Sequence, residues 1–328
     1  MFGRTGLRLS VLGFGCGAVG GLMVRGSAAD QDRAVGKALD AGINYFDTAV
    51  QYGNGASETN LGRVLRGFRP DGAQVGTKVR ISSTDVSRIA AVVTESLDGS
   101  LRRLAMDHVD IFHLHNEITV NGGGESLSVA QVLDQVVPAF QALRQAGKTR
   151  FLGITAIGDT AALHQVVDSG AFDSAQVSYN MLNPSAATPL PPGYPAQDYG
   201  HLFDHTQKAG VGVVGIRVLA AGALSGSAER HPTASPPPAP IGSAYSYSSD
   251  LDRARRLMPL VTEGFAASLA EAAIRFAITH KAMGTILVGM ATVQEFEGSL
   301  AAVLKGPLPR AALDRLNALT SGFVGEQR

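Results

Sequence analysis

Tryptophan is absent from this 328-residue chain, and cysteine occurs once, at Cys16. A lone thiol forms no internal disulfide and builds no zinc cluster, which suits a reducing compartment without requiring one. Neither sign of charge dominates: 28 Lys and Arg balance 28 Asp and Glu, so the electrostatic footprint of a nucleic-acid binder is missing. No early apolar segment has the length and basic flank of a signal sequence, and no run approaches a membrane span. The chain therefore reads as soluble and cytoplasmic, with a small-molecule ligand, no nucleic acid and no membrane partner. A monomer and a homo-oligomer are equally compatible with the sequence. What is present is a 45% hydrophobic fraction, enough for a large core.

Four polar residues stand out from this background. Asp47 follows the apolar run INYF, Tyr52 lies a short loop later in DTAVQYG, Lys78 closes AQVGTK and His115 closes VDIFHLH. Residues this far apart that all sit at strand ends meet only if the strands are parallel neighbours. Tyr52 suits the general acid of a carbonyl reduction, but a free phenol, with its pKa of about 10, ionises too high to work in both directions near neutrality. Lys78 would lower that value by favouring phenolate, Asp47 would hold Lys78, and His115 would orient the reacting oxygen. None of these groups carries redox chemistry, so the site needs a hydride partner, which a nicotinamide cofactor supplies.

Strand-like and helix-period segments alternate along the whole chain, giving eight βα units and predicting a (β/α)8 TIM barrel as one domain, 1–328. Residues 2–12 read as a β-hairpin lid with Thr5-Gly6 at its turn. Residues 182–198 and 227–250, rich in Pro, Ser and Ala, read as long loops at the catalytic, C-terminal face. Ser57 is expected as a helix N-cap and Gly42 as a helix terminator. GCGAVG, residues 15–20, satisfies the dinucleotide-binding fingerprint and keeps a doubly wound fold as the alternative, although the next helix starts too late for it. His113 and His115 share a strand face with Glu117 nearby, but no further ligands accompany them, so no metal is expected and His113 is placed deeper in the barrel.

Several strings together resemble the aldo-keto reductase superfamily over essentially the whole chain, in particular its bacterial sugar-dehydrogenase-like members: LDAGINYFDTAVQYG, GTKV, VDIFHLHN, QVSYN and LAAGALSG. Taken singly, Asp47 is a turn residue, Tyr52 a surface phenol, Lys78 a solvated strand end and His115 a core histidine; their joint order in this pattern reverses those assignments. The resemblance implies that Asp47, Tyr52, Lys78 and His115 form a catalytic tetrad. It implies that Gln176 and Thr155 hold the nicotinamide carboxamide, Ala156 having lost a contact. Ile216 stands where an aromatic commonly stacks on the nicotinamide, followed by Arg217, while Leu219, Gly222 and Leu224 match backbone positions along the pyrophosphate. Gly15, Cys16, Asp47, Gly289, Glu295 and Ser299 complete the expected cofactor contacts.

Members that prefer NADP usually carry Lys or Arg after strand eight, where this chain has Ala291 and Glu295. NAD is therefore expected over NADP. Without tryptophan, and with Asn116 after His115 beside Tyr52, the pocket suggests NAD-dependent oxidation of a sugar or polyol. A loop-capping role for Asn116 has equal weight. The alternatives are a broad aldehyde or ketone reductase, including one for a pyridoxal-like carbonyl, and a cofactor-binding regulatory subunit with little turnover.

Overall fold

The alternation of apolar runs and helix-period segments is realised as a closed barrel. The computed structural model describes residues 1–68 and 70–326. The barrel strands are β1 (Leu12–Gly15), β2 (Tyr45–Asp47), β3 (Gln74–Val79), β4 (Val109–Leu114), β5 (Thr149–Ala156), β6 (Ser174–Ser178), β7 (Gly212–Ile216) and β8 (Met283–Gly289). All pair in parallel in chain order, and β1 closes the ring by pairing with both β2 and β8. Closure rules out the doubly wound alternative: after GCGAVG only the four-residue helix Leu22–Arg25 forms before the long helix Ala28–Asp40.

Strand side chains alternate between two cores. Tyr45, Ile111, Val214 and Leu287 point inward and pack with Phe2 and Leu7 inside the barrel. Their neighbours Phe46, Phe112, Val213 and Ile286 point outward into the larger core beneath the helices. There Phe112 meets Phe140 of helix Val137–Gln145 at 4.8 Å between ring centroids. Full burial of each ring stabilises the fold by roughly 1.5–3 kcal/mol. Helix ends follow local chemistry: Ser27 accepts from the Asp30 amide to start Ala28–Asp40, and Gly42 takes the left-handed conformation just past its end. Ser57, by contrast, lies inside helix Ala56–Phe68, where its hydroxyl bonds the Cys16 carbonyl and the Thr48 hydroxyl instead of capping.

Residues 2–12 form no paired strands: Gly3–Thr5 make a 3-10 turn ended by left-handed Gly6, and the Phe2 amide donates to the Leu7 carbonyl across it at 2.8 Å. Other polar groups of the segment bond more distant neighbours: Arg4 N–H donates to the Gly210 carbonyl at 2.7 Å, and Asn44 bridges Arg8 and Ser10. Phe2 still plugs this end, since a Cβ on Gly212 or Gly284 would overlap its ring. The two long loops lie at the opposite, C-terminal face. They are tied together by the Gln197 amide donating to the Gly242 carbonyl at 2.8 Å and by the buried Asn183 amide, which reaches both segments. Among the described residues no helix is long and apolar enough to cross a membrane.

Candidate active site

Inward-facing residues at the C-terminal strand ends converge on one mouth. Asp47 ends β2, Lys78 lies near the end of β3, His115 follows β4, Thr155 lies on β5 and Gln176 on β6. Tyr52 arrives from the loop after β2, where Gly53, Asn54 and Gly55 all take positive φ. That tight left-handed run suits the Gly-Asn-Gly sequence, and it presents the phenol to the mouth.

Lys78 is fully buried, and its ammonium forms an ion pair with Asp47 Oδ1 and donates to the Thr48 carbonyl at 2.8 Å. The second carboxylate oxygen, Oδ2, accepts from Gln176 Nε2 at 2.5 Å and from the Tyr45 hydroxyl at 3.2 Å. Thr155 donates to Gln176 Oε1 at 3.4 Å. Lys78 Nζ stands 4.8 Å from the centre of the Tyr52 ring, and the Tyr52 and His115 rings meet edge to face at 6.1 Å.

Charge and burial set the protonation states. Burial pulls the Lys78 ammonium down, but Asp47 and Tyr52 outweigh it and hold its pKa raised. Burial likewise drives the Tyr52 phenol upward; Lys78 opposes this without overcoming it, so the phenol stays above its ordinary value in the free protein. Lys78 lowers the phenol as expected from sequence, but desolvation, which that expectation left out, is the larger effect. Burial, with the charges of Lys78 and Arg80, pushes His115 down to about 3, and its Nδ1 has no hydrogen-bond partner among the described residues. His115 is thus a neutral imidazole throughout the physiological range.

The mouth opens into a cavity of about 670 Å³ running from Tyr52 and His115 to Glu295 and Ser299. Its walls include Gly15, Asp47, Thr155, Gln176, Ile216, Arg217, Leu219, Gly222 and Gly289. At Gly17 and Gly298, both on the wall, an added Cβ would meet no protein atom, so these glycines leave open the space a ligand needs. The chain matches the aldo/keto reductase family over residues 11–321. It belongs to that family.

Along 307 residues, 92% of this chain and 86% of the other, it is 31% identical to the L-galactose dehydrogenase of Arabidopsis thaliana. Pyridoxal 4-dehydrogenase of Microbacterium luteolum is 24% identical over 342 residues, covering 89% of each. The fold superposes on the holo form of an aldo-keto reductase from Bacillus halodurans with a TM-score of 0.72, at 24% identity and covering 97% and 95% of the two chains. The protein is therefore an oxidoreductase of carbonyl and alcohol groups, from a family that uses nicotinamide cofactors.

Within this aldo/keto reductase barrel four expected residues lie off the cavity wall: Lys78, buried beneath it against Asp47, and Cys16, Leu224 and Asn116. Cys16 is buried behind the wall, its amide bonded to the Asp47 carbonyl at 2.9 Å. Leu224 packs in the outer core. Asn116, expected to recognise substrate, is wholly buried: its Oδ1 accepts from the Ile81 amide, and its Nδ2 donates to the carbonyls of Ile81 and Glu125. With both ends of its amide engaged it clasps two loops and has no reach into the mouth. His113 lies inside the barrel with Nε2 at 3.3 Å from Ser174 Oγ, and no group of three His, Cys, Asp or Glu side chains is placed to hold a metal among the described residues.

The loop read from sequence as lying at the catalytic mouth, 227–250, roofs the cavity, but the side chains that fasten it were not foreseen. Loop 227–250 crosses to the segment after β1, where the Ser235 amide donates to the Val19 carbonyl at 3.0 Å and Arg25 holds the Thr233 carbonyl at 2.7 Å. Arg230 fastens the same roof, donating to the carbonyls of Ala221 and Ser235 at 2.9 and 2.8 Å. Only the arrangement of three loops reveals this, since each arginine alone reads as an ordinary solvated charge.

Proposed function

We propose that the whole chain, as one catalytic domain, carries out NAD-dependent oxidation of a sugar-like alcohol or lactol. The observation that carries this is the convergence of Tyr52, the Lys78–Asp47 pair and neutral His115 at one end of a cavity whose other end bears Glu295. Tyr52 takes the hydroxyl proton during oxidation and returns it during reduction. Lys78 favours the phenolate so formed, and Asp47 keeps Lys78 in place. His115, neutral, hydrogen-bonds the same oxygen and sets its direction. Bound nicotinamide supplies the hydride acceptor. Gln176 and Thr155 would hold its carboxamide, with Gln176 first leaving Asp47.

The preference for NAD follows from the far end of the cavity. The Glu295 carboxylate accepts the Ala291 amide at 2.6 Å, fixing a negative charge there. An anion so placed repels a 2′-phosphate and suits a ribose hydroxyl. The arginines in and just after helix Tyr247–Arg255 are committed elsewhere: Arg253 to the Pro195 and Ser243 carbonyls, Arg255 to Gly226, and Arg256 to Glu326.

A sugar substrate is supported by the relative named L-galactose dehydrogenase and by the lack of tryptophan, and no longer by Asn116. Reduction of an aromatic carbonyl is the second reading, favoured by the apolar wall of Ile157, Ile216 and Ile241, and the relative named pyridoxal 4-dehydrogenase supports the aromatic substrate though not the direction. An NAD- and NADP-linked screen of aldoses, polyols, apolar alcohols and aldehydes decides among these. Turnover of aldoses with NAD is expected. Activity confined to apolar aldehydes, or better kcat/KM with NADPH, refutes the proposal, and the absence of any turnover points to a regulatory subunit.

A further inference from the structure

Arg217 lines the same cavity as Tyr52, yet the chemistry above gives it no task. Other charged side chains of that cavity have partners: Asp47 is paired with Lys78, Glu271 with Arg275 and Lys305, and Arg230 with the carbonyls of the roof. The Arg217 guanidinium has five N–H donors but, among the described residues, only one protein bond, a long one of 3.5 Å from Nη1 to the Ala239 carbonyl. Asp250 attracts it electrostatically, but that carboxylate accepts the Ser243 hydroxyl instead, at 2.7 Å.

The backbone is built to hold this cation in position. Arg217 has a φ of 57°, a left-handed conformation that a non-glycine residue adopts at a cost of order 1–3 kcal/mol and only when its surroundings enforce it. The buried Asn180 amide enforces it, donating Nδ2 to the Arg217 carbonyl at 2.9 Å. After Arg217 the chain turns away through Leu219–Ser225, along the roofed part of the cavity. The guanidinium instead shares the cavity with Tyr52 and bonds the Ala239 segment, which belongs to one of the long loops at the catalytic face.

We propose that Arg217 is a substrate-recognition residue and that the substrate carries an oxyanion, carboxylate or phosphate, on a carbon remote from the one oxidised. This rests on Tyr52 being the proton-transfer group of the site, and it replaces the cofactor role expected for Arg217 from sequence. A guanidinium with unused donors in a half-buried pocket recognises an oxyanion through paired, charge-assisted bonds, and it leaves a neutral analogue with an unmatched cation.

The full-length enzyme with NAD is assayed on matched triplets: a hexose, its C6 carboxylate and its C6 phosphate. The kcat/KM of one charged member should exceed that of the neutral hexose by about tenfold or more. Arg217→Met should bring that ratio close to one, and Arg217→Lys should retain part of it. Which charged member leads identifies the oxyanion. A wild-type preference for the neutral hexose, with the ratio unmoved in Arg217→Met, overturns the proposal. If no member of any triplet is oxidised, the sugar assignment fails by itself. The ratio is then read reductively on succinic semialdehyde against butanal, and an equal loss on both in Arg217→Met overturns the role of Arg217. Calorimetric titration with NAD supplies the remaining arm: a dissociation constant raised about tenfold in Arg217→Met, with the substrate ratio unchanged, puts the guanidinium on the cofactor and overturns the proposal.

Discussion

Replacing Lys78 by Met leaves Asp47 ionised in a buried site without its cation. The two side chains are 0% and 4% exposed, so solvent cannot take over the stabilisation. Breaking such a pair is more destabilising than replacing both partners, because one desolvated charge remains. The remaining bonds from Tyr45 and Gln176 do not replace a full charge, and Asp47 escapes by taking up a proton. That limits the loss. Protonating a carboxyl whose unfolded pKa is about 3.9 costs about 4 kcal/mol at pH 7 and about 1.5 kcal/mol at pH 5. The sign follows from linkage. Burial already raises the Asp47 pKa, and without Lys78 the folded value rises further above the unfolded one. The folded variant then binds more protons than the unfolded chain, so its stability falls as pH rises between those two values, by about 1.4 kcal/mol per pH unit. Urea denaturation of wild type and Lys78→Met across this range measures the difference, and adding Asp47→Asn should recover most of it. A pH-independent deficit, or one below about 1 kcal/mol at pH 7, would show that the pair is not buried and coupled as described.

Tyr52→Phe should lower kcat by about 10²- to 10⁴-fold with little change in the NAD dissociation constant, and near-normal kcat would remove Tyr52 from the chemistry. Because the phenol sits above its usual value, wild-type oxidation should keep accelerating into alkaline pH while reduction stays level around neutrality; because His115 lies at about 3, neither profile should show a limb near the usual histidine value. Glu295→Arg should move the kcat/KM ratio toward NADP by removing a negative charge and adding a bidentate phosphate ligand; an unchanged ratio would place the ribose elsewhere. Asn116→Ala should destabilise the fold by about 2–3 kcal/mol, since it strands the Ile81 amide and the Ile81 and Glu125 carbonyls. A raised substrate KM at unchanged stability would instead return Asn116 to the pocket.

The barrel was legible because its signal is repeated: each strand is an apolar run followed by a helix period, and errors in one unit do not alter the count. Local pairing was less legible. Residues 2–12 carry a turn sequence that fits a hairpin, yet beyond the bonds around that turn the segment is held by Gly210, Asn44 and Asp173, far along the chain. Ser57 has the type and place of an N-cap, and its choice of Cys16 and Thr48 depends on a packing that no window around residue 57 contains.

The site residues divide by strand parity, and that divides the accurate expectations from the others. On β4 the inward series Ile111, His113, His115 places His115 at the mouth and turns the next residue, Asn116, away from it. On β1 the inward series is Gly13 and Gly15, so Cys16 faces the Asp47 backbone and the outer core. Adjacency in sequence to a catalytic residue therefore argues against sharing its pocket whenever the strand geometry persists past the strand's end. The same parity puts Gln176 beside Ser174 and Ser178 on the inner face of β6, and it brings the amide within 2.5 Å of Asp47. Arg217 escapes the rule because its backbone leaves the strand conformation at β7's end, and a left-handed φ turns a residue of outward parity into the cavity. A strained, pinned arginine at that point is what a specificity determinant requires: a position held by the scaffold and free to be aimed independently of the strand that carries it.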